Sequence, residues 1–247
     1  MSNAVRKALT ILEHVAGGKR SLAELSAAAS IPRPTVHRLA GTLVSEGFLI
    51  KDDLTYRLGF RLLELGHAVK EENHIVLAAR EPMERLSANT CETVHLGQLD
   101  GTNIVYVDKV EGTRGLRMVS RVGFRTMAQT TSLGKVLIAN LPEEAWPSHL
   151  VPGAPQRTPH TIVDLERIVG ELKVVRDAGY ALDREENELG IRCVACPVRD
   201  FSGQVVAAIS LSGATVYVTE ARQSELVADV MEAADAISAR LGFGGNR

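Results

Sequence analysis

The stretch from Ser21 to Leu43, SLAELSAAASIPRPTVHRLAGTL, constrains the fold more than any other part of the chain. It reads as two short helices with a tight break between them. Ser21 can cap the first, since a side-chain oxygen there accepts an orphan amide of the first turn, and Leu22, Leu25, Ala28 and Ala29 face a core. Ser30, Ile31 and Pro32 stop that helix, while Pro32 and Pro34 suit the entrance of the next, where proline's missing amide costs nothing. In the second helix Val36, Leu39, Ala40, Leu43 and Val44 recur at the spacing of one buried stripe. Pro34, Arg38, Gly41 and Ser45 then point outward, with His37 and Thr42 on the flanks. Small residues and a guanidinium on one face suit entry into a DNA major groove, because bulk there would hold the backbone off the base edges. A solvated helix in an ordinary helical hairpin explains the same residues, and this stretch alone leaves both readings open.

The flanking sequence narrows the choice. Ala4 to Ala16 is amphipathic and ends at Gly17-Gly18, which predicts a third helix. After Gly47, Phe48 to Ile50 and Thr55 to Leu58 predict two short strands about a turn at Lys51 to Asp53. Three helices and a hairpin make a winged helix-turn-helix, whose wing carries Lys51, Tyr56 and Arg57 toward a phosphate backbone. Charge agrees: residues 1 to 62 hold nine Lys or Arg against five Asp or Glu, a balance of +4, whereas the other 185 hold 19 against 25, a balance of -6. A basic segment on an acidic remainder implies that only the amino-terminal part meets a polyanion.

Arg61 to Glu72 is helical again, with Leu62, Leu63, Leu65 and Val69 apolar, and is expected to link two domains while burying its stripe against a second copy. A helix over Ile75 to Asn89 follows. Beyond it the period changes to two: Glu92 to Leu99, Asn103 to Val110, Leu116 to Ser120, Ile191 to Val198 and Val205 to Leu211 predict strands. Ser132 to Asn140, Val163 to Gly179 and Thr219 to Leu241 predict helices, and Trp146 to Pro159, with four prolines, predicts a surface loop. The sum is an α+β domain with an antiparallel sheet.

Cys91, Cys193 and Cys196 are too few for a disulfide framework and fit a reducing compartment. Cys193 and Cys196 form a C-x-x-C inside an apolar strand, where residues three apart face opposite sides, and no second pair accompanies them, so no metal is expected. No apolar run approaches the roughly 20 residues of a membrane span, and the charge-interrupted start does not resemble a secretory signal. The expected location is the cytoplasm. An enzyme using His74, His95, Cys193 and the carboxylates between Asp183 and Glu188 is the competing reading, but no nucleophile elbow, phosphate loop or H-E-x-x-H supports it. No catalytic residue and no cofactor are expected. A DNA-binding protein without a ligand, whose second domain only oligomerises, is the other alternative.

TVHRL (Thr35 to Leu39), EGF (Glu46 to Phe48), YRLG (Tyr56 to Gly59) and LLELG (Leu62 to Gly66) resemble the reader half of the IclR family of bacterial transcriptional regulators. ETVHLG (from Glu92), YVDKVEG (from Tyr106), LRMVSRVG (from Leu116), SLGKVLIA (from Ser132), GYALDREENELGIRCVACPV (from Gly179) and AAISLSG (from Ala207) resemble its effector domain, in the same order. The resemblance implies a winged helix-turn-helix over residues 1–60, a linker helix over 61–74 and a GAF-like effector and oligomerisation domain over 75–247. It further implies a dimer or tetramer on a pseudo-palindromic operator, more often repressing than activating, and controlled by a small molecule. Its DNA contacts fall on Arg33, Pro34, Thr35, His37, Arg38, Thr42, Lys51, Tyr56 and Arg57. Pro34 departs from the small hydroxyl residue common there and removes one phosphate hydrogen bond. The implied effector pocket comprises Met118, Ser132, Leu133, Asp183, Ile191, Cys193, Ser210 and Ser212. Amides at the start of the Ser132 helix would favour an anion, the two serines would point to one side, and Met118, Leu133 and Ile191 would size the apolar part of a small organic acid. The alternative is that the serines satisfy backbone groups and Asp183 caps a turn.

Overall fold

The structure is a computed structural model describing residues 3–114 and 119–244. Met118 and most of the strand expected over 116–120 lie outside the described residues. The chain divides into two compact units, Met1–Glu72 and Asn73–Arg247.

The first unit contains α1 (Asn3–Ala16), α2 (Leu22–Ala29), α3 (Arg33–Ser45), a hairpin of β1 (Leu49–Asp52) and β2 (Thr55–Leu58), and α4 (Phe60–Glu72). Ser21 caps α2 in a reciprocal box: its Oγ accepts from the Glu24 amide at 3.2 Å, and Glu24 Oε2 accepts from the Ser21 amide at 2.9 Å. Ser30 then turns the chain in the left-handed region, at φ 53°, into the entrance of α3. Val36, Leu39 and Ala40 of α3 pack with Ile11, Leu25, Ile31, Leu49 and Tyr56. A bridge between Ser21 and Thr55 ties the hairpin to the start of α2. α4 has no buried residue within its unit, and Leu63 and Val69 are 71% and 68% exposed.

The second unit is a six-stranded antiparallel sheet in the order β5-β4-β3-β8-β7-β6, formed by β3 (Thr93–Asp100), β4 (Asn103–Val110), β5 (Arg125–Met127), β6 (Ala181–Arg184), β7 (Ile191–Arg199) and β8 (Val205–Ala214). The short β5 and β6 are additions to the strands that the periodicity predicts. On one face, Val94, Leu96, Val194, Cys196, Ile209 and Leu211 meet residues of α5 (His74–Thr90) and α8 (Glu220–Arg240). On the other, Ile104, Ala195 and Ala208 meet α6 (Ser132–Ala139) and α7 (Leu165–Ala178). Cys193 and Cys196 therefore face opposite sides, as the strand reading requires. The proline-rich segment departs from a plain surface loop: Trp146 is 2% exposed, in a 3-10 turn over Glu143–Ser148 that packs with α6 and α7. Its bulk outweighs the turn-forming prolines around it, because a buried indole removes a large apolar area from water.

α6 lies hard against the preceding 3-10 turn, Ala128–Thr130. A Cβ built on Gly134 would fall 2.0 Å from the Ala128 carbonyl oxygen, backbone that cannot swing aside. Gly134→Ala is expected to cost about 1–3 kcal/mol through overpacking, read as a lowered denaturation midpoint; an unchanged midpoint would show that the two segments separate freely.

Candidate functional sites

In the first unit, Arg33, Pro34, His37, Arg38 and Thr42 are exposed on α3 and Thr35 is half-buried at its start. Lys51 and Arg57 are exposed on the hairpin, and Arg57 Nε pairs with Asp52 Oδ2 at 2.7 Å across it. Tyr56 departs from its expected place. It is 4% exposed and sits in the helical core beside Val36 and Leu49, because strand alternation turns it inward when its neighbours Thr55 and Arg57 turn out. Its ring fixes the wing, and its side chain is not on the outer surface.

The second unit encloses a cavity of about 270 Å³ on the α6 and α7 face of the sheet. Asp183, Cys193 and Ser212 form one cross-strand row on β6, β7 and β8, and all three line it together with Ile191. His95 of β3 and Tyr106 of β4 continue the wall. Ser132, Leu133 and Ser210 do not reach it: all three are buried, Leu133 packs in the core behind β3 and β4, and Ser210 stands opposite His95 in the strand register. The start of α6 is also already capped, since Thr131 Oγ1 accepts from the Gly134 amide at 3.0 Å. The expected anion site at Ser132 is thus replaced by protein.

The remaining wall comes from loops. Ser120 and Phe124 arrive from the connection between β4 and β5, Arg157 from the segment before α7, and Asn187 and Glu188 from the connection between β6 and β7. Sequence reasoning did not assign these positions, nor His95, Tyr106 and Thr126, to the effector site. Strand alternation could have brought in His95 and Tyr106, but nothing local marks Arg157 or Asn187. The loops are held by specific bonds. Thr126 and Thr130 donate to Asn187 Oδ1 at 3.3 and 3.2 Å, and Arg157 Nε donates to the Asn187 carbonyl at 3.0 Å. Thr161 donates to the Glu186 carbonyl at 2.7 Å, and Asp183 Oδ1 accepts from the Glu186 amide at 2.7 Å. Beneath them Lys135 of α6, fully buried, places its ammonium 2.6 Å from Glu186, 3.2 Å from Glu171 and 3.1 Å from the Leu182 carbonyl.

The electrostatics oppose catalysis. Burial, reinforced by Lys109, pushes His95 down to about 3, so the ring is neutral, with Ser120 Oγ at 2.7 Å and Ser212 Oγ at 3.5 Å. Burial and then the Asp183 carboxyl push the Cys193 thiol well above its ordinary value. A protonated thiol beside so weak a base is no activated nucleophile. His74, at the start of α5, is outside the cavity. Among the described residues, no group of three or more His, Cys, Asp or Glu side chains could hold a metal ion.

Burial, with Glu186 second, lifts Asp183 from 3.8 to about 7. Between those values the folded protein keeps a proton that the unfolded chain has released, so this group lowers stability as pH rises through the window and adds no further loss above about 7. His95 acts with the opposite sign below its ordinary value, but it is common to the parent and to Asp183→Asn and cancels in their difference. The stability of Asp183→Asn relative to the parent should therefore climb with pH, by up to about 1.4 kcal/mol per unit, and level off near 7. A difference flat with pH would mean that the Asp183 carboxyl is no more protonated in the fold than outside it.

Comparison with known proteins accounts for both units. The model of the IclR helix-turn-helix domain matches residues 4–53, and that of the bacterial transcriptional regulator IclR C-terminal domain matches residues 67–239. The chain is 37% identical over 246 residues to the HTH-type transcriptional regulator XynR of Escherichia coli (strain K12), covering 97% of each. It is 31% identical over 250 residues to the HTH-type transcriptional repressor AllR of the same strain, covering 98% of this chain and 91% of AllR. The crystal structure of the Thermotoga maritima IclR superposes with a TM-score of 0.81 at 34% identity, covering 98% of this chain and 99% of that one. These relatives are regulators rather than enzymes, and the present chain is a DNA-binding transcriptional regulator with an effector-binding carboxy-terminal domain. It belongs to the IclR family.

Proposed function

We propose that residues 1–60 read an operator through α3 and the hairpin, that residues 61–74 link, and that a small organic acid bound in the cavity of residues 75–247 sets operator affinity. The observation that carries this reading is the pairing of an outward basic face on α3 with an enclosed polar cavity in the second unit. Arg33, Thr35, His37, Arg38 and Thr42 are the α3 contacts, with Pro34 packing against the duplex and Lys51 and Arg57 meeting phosphates. Gly41 supports close approach. It is exposed, a Cβ there would meet nothing within 4 Å, and yet glycine weakens a helix interior, so the protein's own packing does not account for it.

The exposed Leu63 and Val69 of α4 fit burial against a second copy, and a two-fold homo-oligomer fits a pseudo-palindromic operator. Repression is the sign we infer, on the strength of the relative named a repressor, and the cytoplasm is the location. No helix among the described residues is long and apolar enough to cross a membrane. The effector acts by differential affinity for two arrangements of the protein, a coupling of typically about 1–3 kcal/mol.

Arg38→Ala should weaken operator binding by about 1–3 kcal/mol at fixed salt without lowering the melting temperature. Gly41→Ala should move the two in opposite directions, stabilising the helix by about 0.5–1 kcal/mol while weakening the operator complex. Operator affinity unchanged in both variants, measured by fluorescence anisotropy, would remove α3 from the interface.

A further inference from the structure

We propose that the cavity's occupant is a short-chain polyhydroxylated carboxylic acid, its carboxylate on Arg157 and its hydroxyls donating to Asp183 and Glu188. This rests on the reading of the cavity as the effector site and narrows the class of organic acid that the site accepts.

The argument is one of matching donors to acceptors. Arg157 is the cation on the wall. Its Nε is committed to the Asn187 carbonyl, and among the described residues its two Nη groups have no hydrogen-bond or ion-pair partner, which leaves the forked end for a carboxylate at the cavity mouth. Two wall residues are carboxylates: Glu188, exposed near the mouth, and Asp183, 2% exposed at the inner end of the cross-strand row. Ionised carboxylates only accept hydrogen bonds, so a bound molecule must bring donors to them. Asp183 already accepts from the Glu186 amide through Oδ1, and a ligand hydroxyl would serve its second oxygen. Its raised pKa reduces the repulsion that a ligand anion would meet there. Hydroxyls of Ser120, Thr126 and Ser212 add partners that can both donate and accept.

Size points the same way. The cavity equals roughly nine waters at about 30 Å³ each, near the small end for ligand sites. An alkyl or aromatic acid of that size would satisfy Arg157 but press C–H groups onto Asp183 and strip it of water without replacement. A neutral polyol would satisfy the acids and leave the guanidinium without an anion.

Isothermal titration of the full-length protein with threonate, arabinonate and gluconate, alongside glucitol, hexanoate and benzoate, tests the assignment. We expect at least one aldonate to bind about a hundredfold or more tightly than glucitol, hexanoate and benzoate, and Arg157→Gln to erase its advantage over glucitol. Ser212→Phe, or Ile191→Trp should the first fail to fold, should abolish its binding by filling the space. Hexanoate or benzoate binding as tightly as every aldonate, yet blocked by these fillings, would overturn the ligand class and leave the cavity reading intact. Binding undiminished by the fillings would overturn the cavity reading itself, and failure of all three aldonates to bind would overturn the proposal.

Discussion

The buried ammonium of Lys135 is the constraint on which the effector half depends. A lysine removed from water costs several kcal/mol unless each of its hydrogens is met. Here three acceptors meet the three N–H groups: one carboxylate on α7, one in the connection between β6 and β7, and one carbonyl of β6. These groups lie far apart in sequence and on three separate elements. The ion therefore behaves as a pin, fixing the connection that carries Asn187 and Glu188 against the helix that crosses behind it. The pin is not part of the binding surface, but the shape of that surface follows from it.

A second constraint is steric. α6 approaches the 3-10 turn before it so closely that only glycine fits at position 134, and that turn holds Thr130, one of the two hydroxyls that anchor Asn187. Backbone contact and buried ion thus act on the same few residues from opposite sides. The result is a cavity whose polar rim is set by long-range hydrogen bonds rather than by the strands alone. Such a rim can be strict about hydrogen-bond partners, since a misplaced or absent donor leaves a buried acid unpaired.

What the sequence made legible follows from local periodicity. The stripe on α3, the capped turn at Ser21, the hairpin, the opposed faces of Cys193 and Cys196, and the place of Ser212 beside Cys193 all depend on neighbours within a few residues or on simple strand alternation. Tyr56 shows where that reasoning was incomplete: it is one residue from Arg57, and alternation sends the two to opposite sides of the hairpin. Ser132 and Leu133 were assigned from a helix start that Thr131 already caps. Arg157, Asn187 and Glu188 were not assigned to the site, because their positions are set by bonds to Thr126, Thr130 and Lys135, and no spacing in the chain encodes those encounters. Met118 lies outside the described residues.

Regulation requires that the metabolite and the operator each change the protein's affinity for the other by the same factor, since binding free energies around a closed cycle must balance. Measuring the effector's dissociation constant on free protein and on protein saturated with operator tests this link directly. The account predicts that the two constants differ by the factor through which saturating effector changes operator affinity, about 5- to 150-fold for a typical coupling. Equal constants would contradict it, and would leave a DNA reader and a ligand-binding domain that share a chain without sharing control.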